Sequence, residues 1–233
     1  MPESSGAHDT GDDAERAGRS PLIAEDVLLV LFQPASGTIA GENTLYYVLG
    51  GAVLTELALR GHVTVRGSLV RAGAEAPTDE LLRSAWDYVD RKPRGVHTVL
   101  AAIGPRLRAP LLDRLVRYGD IEREDRRALG FVPLTVLRAG RSGRHEEVFE
   151  RVRSVLVDRA EPTRHVAAVT ALVSASGTLP HLDGRIPWNS AVVGRAMELE
   201  RGDWGAGAAA AAVVSANAAV VVNAMLASGV LSR

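Results

Sequence analysis

The sequence predicts a mainly α-helical fold: a single helical domain around a central apolar helix, with one or two small β-hairpins. Three observations predict it. Apolar residues recur at three-and-four spacing along most of the chain, the spacing of one helical face. Glycines and Pro-Thr or acidic starts punctuate those stretches where helices end and begin. The run from Gly205 to Ser232, GAGAAAAAVVSANAAVVVNAMLASGVLS, carries no charge at all. With 233 residues the chain is long enough to bury a sizeable core.

The N-terminal stretch MPESSGAHDTGDDAERAGRS has acids where a secretory signal needs basic and then apolar residues. Residues 1–19 are expected to be a disordered tail, and residues 20–233 a single helical domain. LIAEDVLLVLF (22–32) opens a helix, with Glu25 and Asp26 in the first turn where the dipole favours acids. TLYYVLGGAVLTELALRG, starting at Thr44, follows, with Leu45, Leu49, Val53, Leu54, Leu57 and Ala58 on one stripe and Gly61 as its left-handed stop. HVTV and LVRAG alternate as a hairpin about Arg66-Gly67.

Pro77-Thr78 with Asp79 and Glu80 starts the next helix. VHTVLAAIG runs to a Gly104-Pro105 break, and RAPLLDRLVRYG ends at Gly119. DIERED and FVPLTVL form a second hairpin around an RRALG tip. RHEEVFERVRSVLVDR is amphipathic, with Val148, Val152, Val155 and Leu156 inward. Pro162 and Thr163 start RHVAAVTALVSAS, which Gly177 caps; SAVVGRAMELERG follows the TLPHLDGRIPWN loop. The total is about eight helices and two hairpins. The uncharged C-terminal run is long enough to span a bilayer. Alanine, however, contributes little transfer free energy, and Ser215, Asn217, Asn223 and Ser228 interrupt the run. It is therefore expected to be the buried central helix rather than an anchor.

The composition excludes several chemistries. There is no cysteine, which removes disulfides, thiolate metal sites and cysteine nucleophiles and suits a cytoplasmic setting. No P-loop, G-x-G-x-x-G, H-E-x-x-H or G-x-S-x-G is present, and the six histidines lack paired helical spacing. A non-catalytic protein is expected, with no cofactor and no metal. Glu56, between Leu54 and Leu57, is expected to pair with a nearby arginine inside the fold. The balance of 27 basic and 28 acidic residues leaves no positive excess for coating DNA, so no nucleic acid partner is expected.

One segment is locally basic. Arg91, Lys92, Arg94, Arg106, Arg108, Arg114 and Arg117 face the single acid Asp113, and the hairpin that follows carries Arg126, Arg127, Leu129, Phe131 and Val132. Basic side chains beside an apolar tip suit an anionic membrane interface, where guanidinium groups meet lipid phosphate and apolar side chains enter the acyl boundary. Arg106, Arg108, Arg126 and Arg127 are the headgroup candidates; Leu129, Phe131 and Val132 are the insertion candidates. The bland alternative is ordinary helix surface with an inward-packed hairpin. A helix, a glycine turn and an Arg-tipped hairpin are also the parts of a winged helix that binds DNA.

LIAEDVLLVLF, then LGGAVLTELALRGHV, APTDELL, LLDRLVRYGDI with its hairpin, and RHVAAVTALVSAS are similar, in that order, to the Golgi phosphoprotein 3 family, across about residues 21–230. The resemblance implies a helical domain around a hydrophobic helix, a protruding apolar-tipped hairpin and peripheral binding to phosphatidylinositol 4-phosphate membranes. Eukaryotic members use that binding to retain glycosyltransferases in the Golgi. Much of the family's headgroup site is absent: its Trp falls near Gly41, one Arg at Gly50 and another at Pro105, and only Arg108 matches. Each lost guanidinium removes charge-assisted bonds worth about 1.5–3 kcal/mol, so selective headgroup recognition is expected to be weak or absent. The Arg- and Ala-rich composition points to a bacterial member, cytoplasmic and peripheral on the inner membrane face. The expected partners are an anionic phospholipid surface and a protein client. The alternative is a soluble interaction scaffold whose hairpin builds a homo-oligomer.

Overall fold

The first helix, α1 (Ile23–Leu31), is buried along its whole length, acids included. The computed structural model describes residues 20–128, 132–182, 184–202 and 208–227. Phe32–Gln33 (β1) turns back onto Thr38–Ile39 (β2), a two-residue hairpin too short for any periodicity to reveal. Then comes α2 (Leu45–Leu59), which the sequence presents as one apolar stripe. The structure buries it on every side: Val48, Gly50, Gly51, Ala52, Thr55 and Glu56 are as inaccessible as the leucines. Helix α2 is therefore the central helix, and α1 packs alongside it.

Gly61 ends α2 at φ 77°, a conformation that a side chain would strain. Val63–Arg66 (β3) pairs with Leu69–Ala72 (β4) through the Gly67-Ser68 turn, as expected, and Arg94–Gly95 (β5) adds a third short strand beside β4. Helix α3 (Glu80–Asp90) starts one residue later than the Pro-Thr signal implies. Asp79 is the N-cap, accepting the Leu81 and Leu82 amides at 3.0 and 3.2 Å. Helix α4 (Val96–Ile103) runs into a 3-10 turn, Gly104–Arg106, and α5 (Arg108–Arg117) follows.

Ile121–Ala128 (β6) and Val132–Ala139 (β7) form the long hairpin. Helices α6 (Arg144–Val157), α7 (Arg164–Ala175) and α8 (Ser190–Glu200) follow, with residues 167–173 of α7 all buried. Thr163 caps α7 through the Val166 amide and Asn189 caps α8 through that of Val192. In α6 the four expected residues are buried, and His145 and Phe149 join them.

The last helix, α9 (Ala208–Ala227), corrects the expectation that it would be the buried centre. Ala210, Val213, Val214, Asn217 and Val221 face the core, whereas Ser215, Ala219 and Asn223 are exposed. It lies against α2, α7 and β3 as a one-sided helix. Its small residues allow a close approach to α2, since a Cβ on Gly51 would lie 2.5 Å from the Asn217 side chain. Among the described residues no helix is long and apolar enough to cross a membrane.

Candidate functional site

The face built by the 3-10 turn, α5 and the long hairpin carries the residues singled out above. The turn is seated firmly. A Cβ on Gly104 would overlap the Tyr46 carbonyl, so only glycine allows the turn to rest on the start of α2. Arg106 ends that turn, exposed and without an ion pair or hydrogen bond among the described residues. Arg108, two residues further on at the start of α5, is not free: its Nε lies 2.7 Å from Glu42 Oε1, with both side chains about half exposed. The loop position close to which the family resemblance places a tryptophan thus supplies a carboxylate to the one matching arginine. That carboxylate competes directly with any phosphate for the same guanidinium.

Tyr46 and Tyr47 stand beside this loop with ring centroids 4.1 Å apart, and Tyr47 lies 6.1 Å from the His97 ring. The Tyr46 phenol is pushed up to about 12, first by its hydrogen bond with Tyr47 and then by burial. It stays protonated at any physiological pH and offers a neutral polar group. Gly50, one of the two positions where the resemblance expects an arginine that is missing, is buried against Leu100.

Along the hairpin, Arg126 pairs in register with Leu134, Arg127 with Pro133 and Ala128 with Val132. Arg126 and Arg127 therefore belong to strand β6 rather than to the tip, because the ladder runs three residues further than the DIERED pattern suggests. Val132 opens β7. Leu129 and Phe131 lie outside the described residues.

Among the described residues, charges along the lower part of the hairpin are paired. Arg123 reaches Asp113 at 2.7 Å, Arg138 pairs with Glu124, Thr135 donates to Asp125 at 2.8 Å, and Arg141 lies 3.2 Å from Glu122. Nor do the seven basic residues of 91–117 form one basic surface. Arg114 is largely buried between Glu25 (3.0 Å) and Asp79 (2.8 Å). Arg94 lies over the Tyr88 ring at 4.1 Å. Arg91, Lys92, Arg106 and Arg117 remain exposed and unpaired among the described residues.

At the base of the hairpin is a buried ionic network that sequence reasoning missed. Asp120 accepts from Ser142 at 2.8 Å and from Arg144 at 2.6 Å. Arg144 also binds Asp26 and approaches Glu25 to 3.7 Å, and His165 Nε2 lies 2.8 Å from Asp26. Glu25 and Asp26 are thus interior partners, not merely dipole-favoured first-turn acids. No local signal marks this, because their partners come from α5, α6 and α7. Glu56 is buried and pairs with an arginine, Arg60 at 2.8 Å, but that arginine stands at the surface end of α2 rather than inside the fold; Glu56 also accepts the Ile23 amide at 2.7 Å. Among the described residues no group of three His, Asp or Glu could hold a metal.

These features define a class of protein: a helical domain around an apolar central helix that carries a two-stranded hairpin and scattered free arginines. The family model for Golgi phosphoprotein 3 (GPP34) matches residues 23–216, and the chain belongs to that family. A comparison with curated proteins gives no match.

Proposed function

We propose that the chain is a non-catalytic peripheral membrane adaptor that binds anionic lipid by charge rather than by selecting one headgroup. Arg106, Arg108, Arg126 and Arg127 meet lipid phosphates in this reading, and Leu129, Phe131 and Val132 at the hairpin end enter the acyl boundary. The observation that carries it is the free, exposed Arg106 on a turn locked to α2, in the segment that leads through α5 into the long hairpin. Membership of the Golgi phosphoprotein 3 family supports the same reading. The Glu42–Arg108 pair and the buried Gly50 support the loss of headgroup selectivity.

Flotation with vesicles of graded anionic content, at two salt concentrations, tests the proposal. Recovery should rise with anionic content and fall with salt, and phosphatidylinositol 4-phosphate should be no better than phosphatidylserine at equal charge. An arginine near an anionic surface contributes about 1 kcal/mol, or about fivefold. Arg106→Ala/Arg108→Ala should therefore weaken binding by at least that factor. Glu42→Ala, which frees Arg108, should strengthen it. Equal recovery on neutral and anionic vesicles would sink the reading.

A further inference from the structure

A groove of about 1130 Å³ runs between α3 and the segment formed by the 3-10 turn and α5. It exceeds the roughly 300–1,000 Å³ of small-molecule pockets, and its lining residues run from Thr78 to Arg91 and from Ala102 to Tyr118. The two helices run antiparallel along it, because Arg114 near the end of α5 binds Asp79 at the start of α3. Arg91 and Arg106 stand at one end and Arg117 at the other.

The charges lining the groove are not balanced. Asp79 is taken by Arg114, Asp113 by Arg123 at 2.7 Å, and Asp87 lies 3.4 Å from Arg83. Among the described residues Arg91, Arg106 and Arg117 have no partner, and the only groove carboxylate left over is that of Glu80. Three unpaired guanidinium groups spread along an elongated groove fit an extended segment with spaced carboxylates. A single small anion would engage one end and leave the other arginine unmet.

This chain carries such a segment. Residues 1–19 hold Glu3, Asp9, Asp12, Asp13 and Glu15 against Arg16 and Arg19. The segment joins the domain beside the groove, since Glu25 in the first turn of α1 pairs with Arg114, a groove residue. Leu22 lies nine positions after Asp13, and at about 3.3 Å per position that stretch reaches roughly 30 Å. The groove is about as long as α3, roughly 16 Å at 1.5 Å per residue. Asp9 and Asp13 on an extended chain stand roughly 13 Å apart, which matches the separation of its two ends. The linker thus has slack to spare.

We propose that the acidic segment Asp9–Glu15 docks in cis into this arginine groove and shields Arg91, Arg106 and Arg117. Because Arg106 also belongs to the proposed lipid surface, docking withholds that guanidinium from anionic partners. The contact itself does not depend on the membrane reading and is tested without lipid.

The natural chain has no cysteine, so Ala14→Cys in the full-length protein carries a single nitroxide. Amide relaxation enhancement should concentrate at residues 83–91 and 106–117. It should fall to the background of the reduced label in about 0.5 M salt, where charges are screened within a few ångströms. Arg91→Gln/Arg117→Gln and Asp9→Asn/Asp12→Asn/Asp13→Asn should each abolish it, one from the groove side and one from the tail side. Enhancement spread evenly, centred on another face, or unmoved by both variants would overturn the proposal. So would enhancement seen only between a labelled chain and a separate isotope-enriched chain, which assigns the groove to a second copy.

Discussion

Glu56 holds the N-terminus of α1 from inside α2. Its carboxylate accepts the Ile23 amide at 2.7 Å and the Arg60 guanidinium at 2.8 Å. It thus satisfies one of the four amides that a helix start leaves unpaired. Glu56→Ala leaves a buried donor without an acceptor and should cost about 1–3 kcal/mol in urea unfolding. Glu56→Gln keeps an acceptor and should recover much of that; equal losses in the two variants would show that this bond is not what matters. His145 gives a pH dependence. Burial lowers its pKa below the ordinary 6.5, outweighing the Phe32 carbonyl that its Nε2 faces at 3.3 Å; Arg185 lowers it further and Glu146 opposes. The unfolded chain therefore binds a proton at higher pH than the folded one. The contribution is fully present above the ordinary value and declines as pH falls through it toward the folded pKa. The urea midpoint should drop between about pH 7 and 5, and His145→Phe, which keeps an aromatic ring between Phe32 and Phe149, should flatten that drop.

At the scale of elements, the foot of the hairpin is tied to α1 by one cation. Arg144 opens α6 and joins Asp120 at the foot of β6 to Asp26 on α1, 118 residues away in sequence. His165 brings α7 to the same carboxylate. The pair is buried, and removing only the cation strands charges that water cannot reach. Arg144→Met should therefore cost about 3–5 kcal/mol. It should also speed hydrogen exchange of the amides of residues 121–125 and 135–139 more than that of α2, because the network anchors the hairpin rather than the core. Uniform acceleration across the chain would mean that the hairpin has no separate anchor. The hairpin is a two-stranded sheet among the described residues, and the charges along β6 discourage edge pairing with other chains.

At the scale of the whole molecule, the seam between α2 and α9 decides how the core closes. Gly51 and Asn217 face each other across it, and both polar atoms of Asn217 are buried without a partner. An orphaned amide is tolerated here because the surrounding contacts of Val213, Val214 and Val221 outweigh it. Gly51→Ala pushes a methyl group into the amide and should cost about 1–3 kcal/mol. In an Asn217→Ala background the same substitution should cost at least about 1 kcal/mol less, since contacting residues couple. Additive effects in that double-mutant cycle would place the two residues in separate parts of the core.

Much of this architecture was legible in the sequence. The amphipathic pattern of RHEEVFERVRSVLV, the Thr163 cap and the Gly61 stop act within a few residues, so spacing alone reports them. The GAVLTELALRG run gave the family for the same reason: residues in one tightly packed helix are held to a narrow set of shapes. The burial of helices was less legible. An uncharged run such as 205–232 is compatible with the centre or the flank of a core, and only packing put α2 at the centre and left Ser215, Ala219 and Asn223 on the outside. The site was least legible. A stretch of seven basic residues looks like a basic patch until the fold assigns Arg108 to Glu42, Arg114 to Glu25 and Asp79, and Arg94 to Tyr88. By itself the sequence determined where helices begin and end and which family they build, because those are local properties of backbone and periodicity. Only the tertiary structure decided which arginines are free, because an ion pair is set by distance in space and its partners here come from distant parts of the chain.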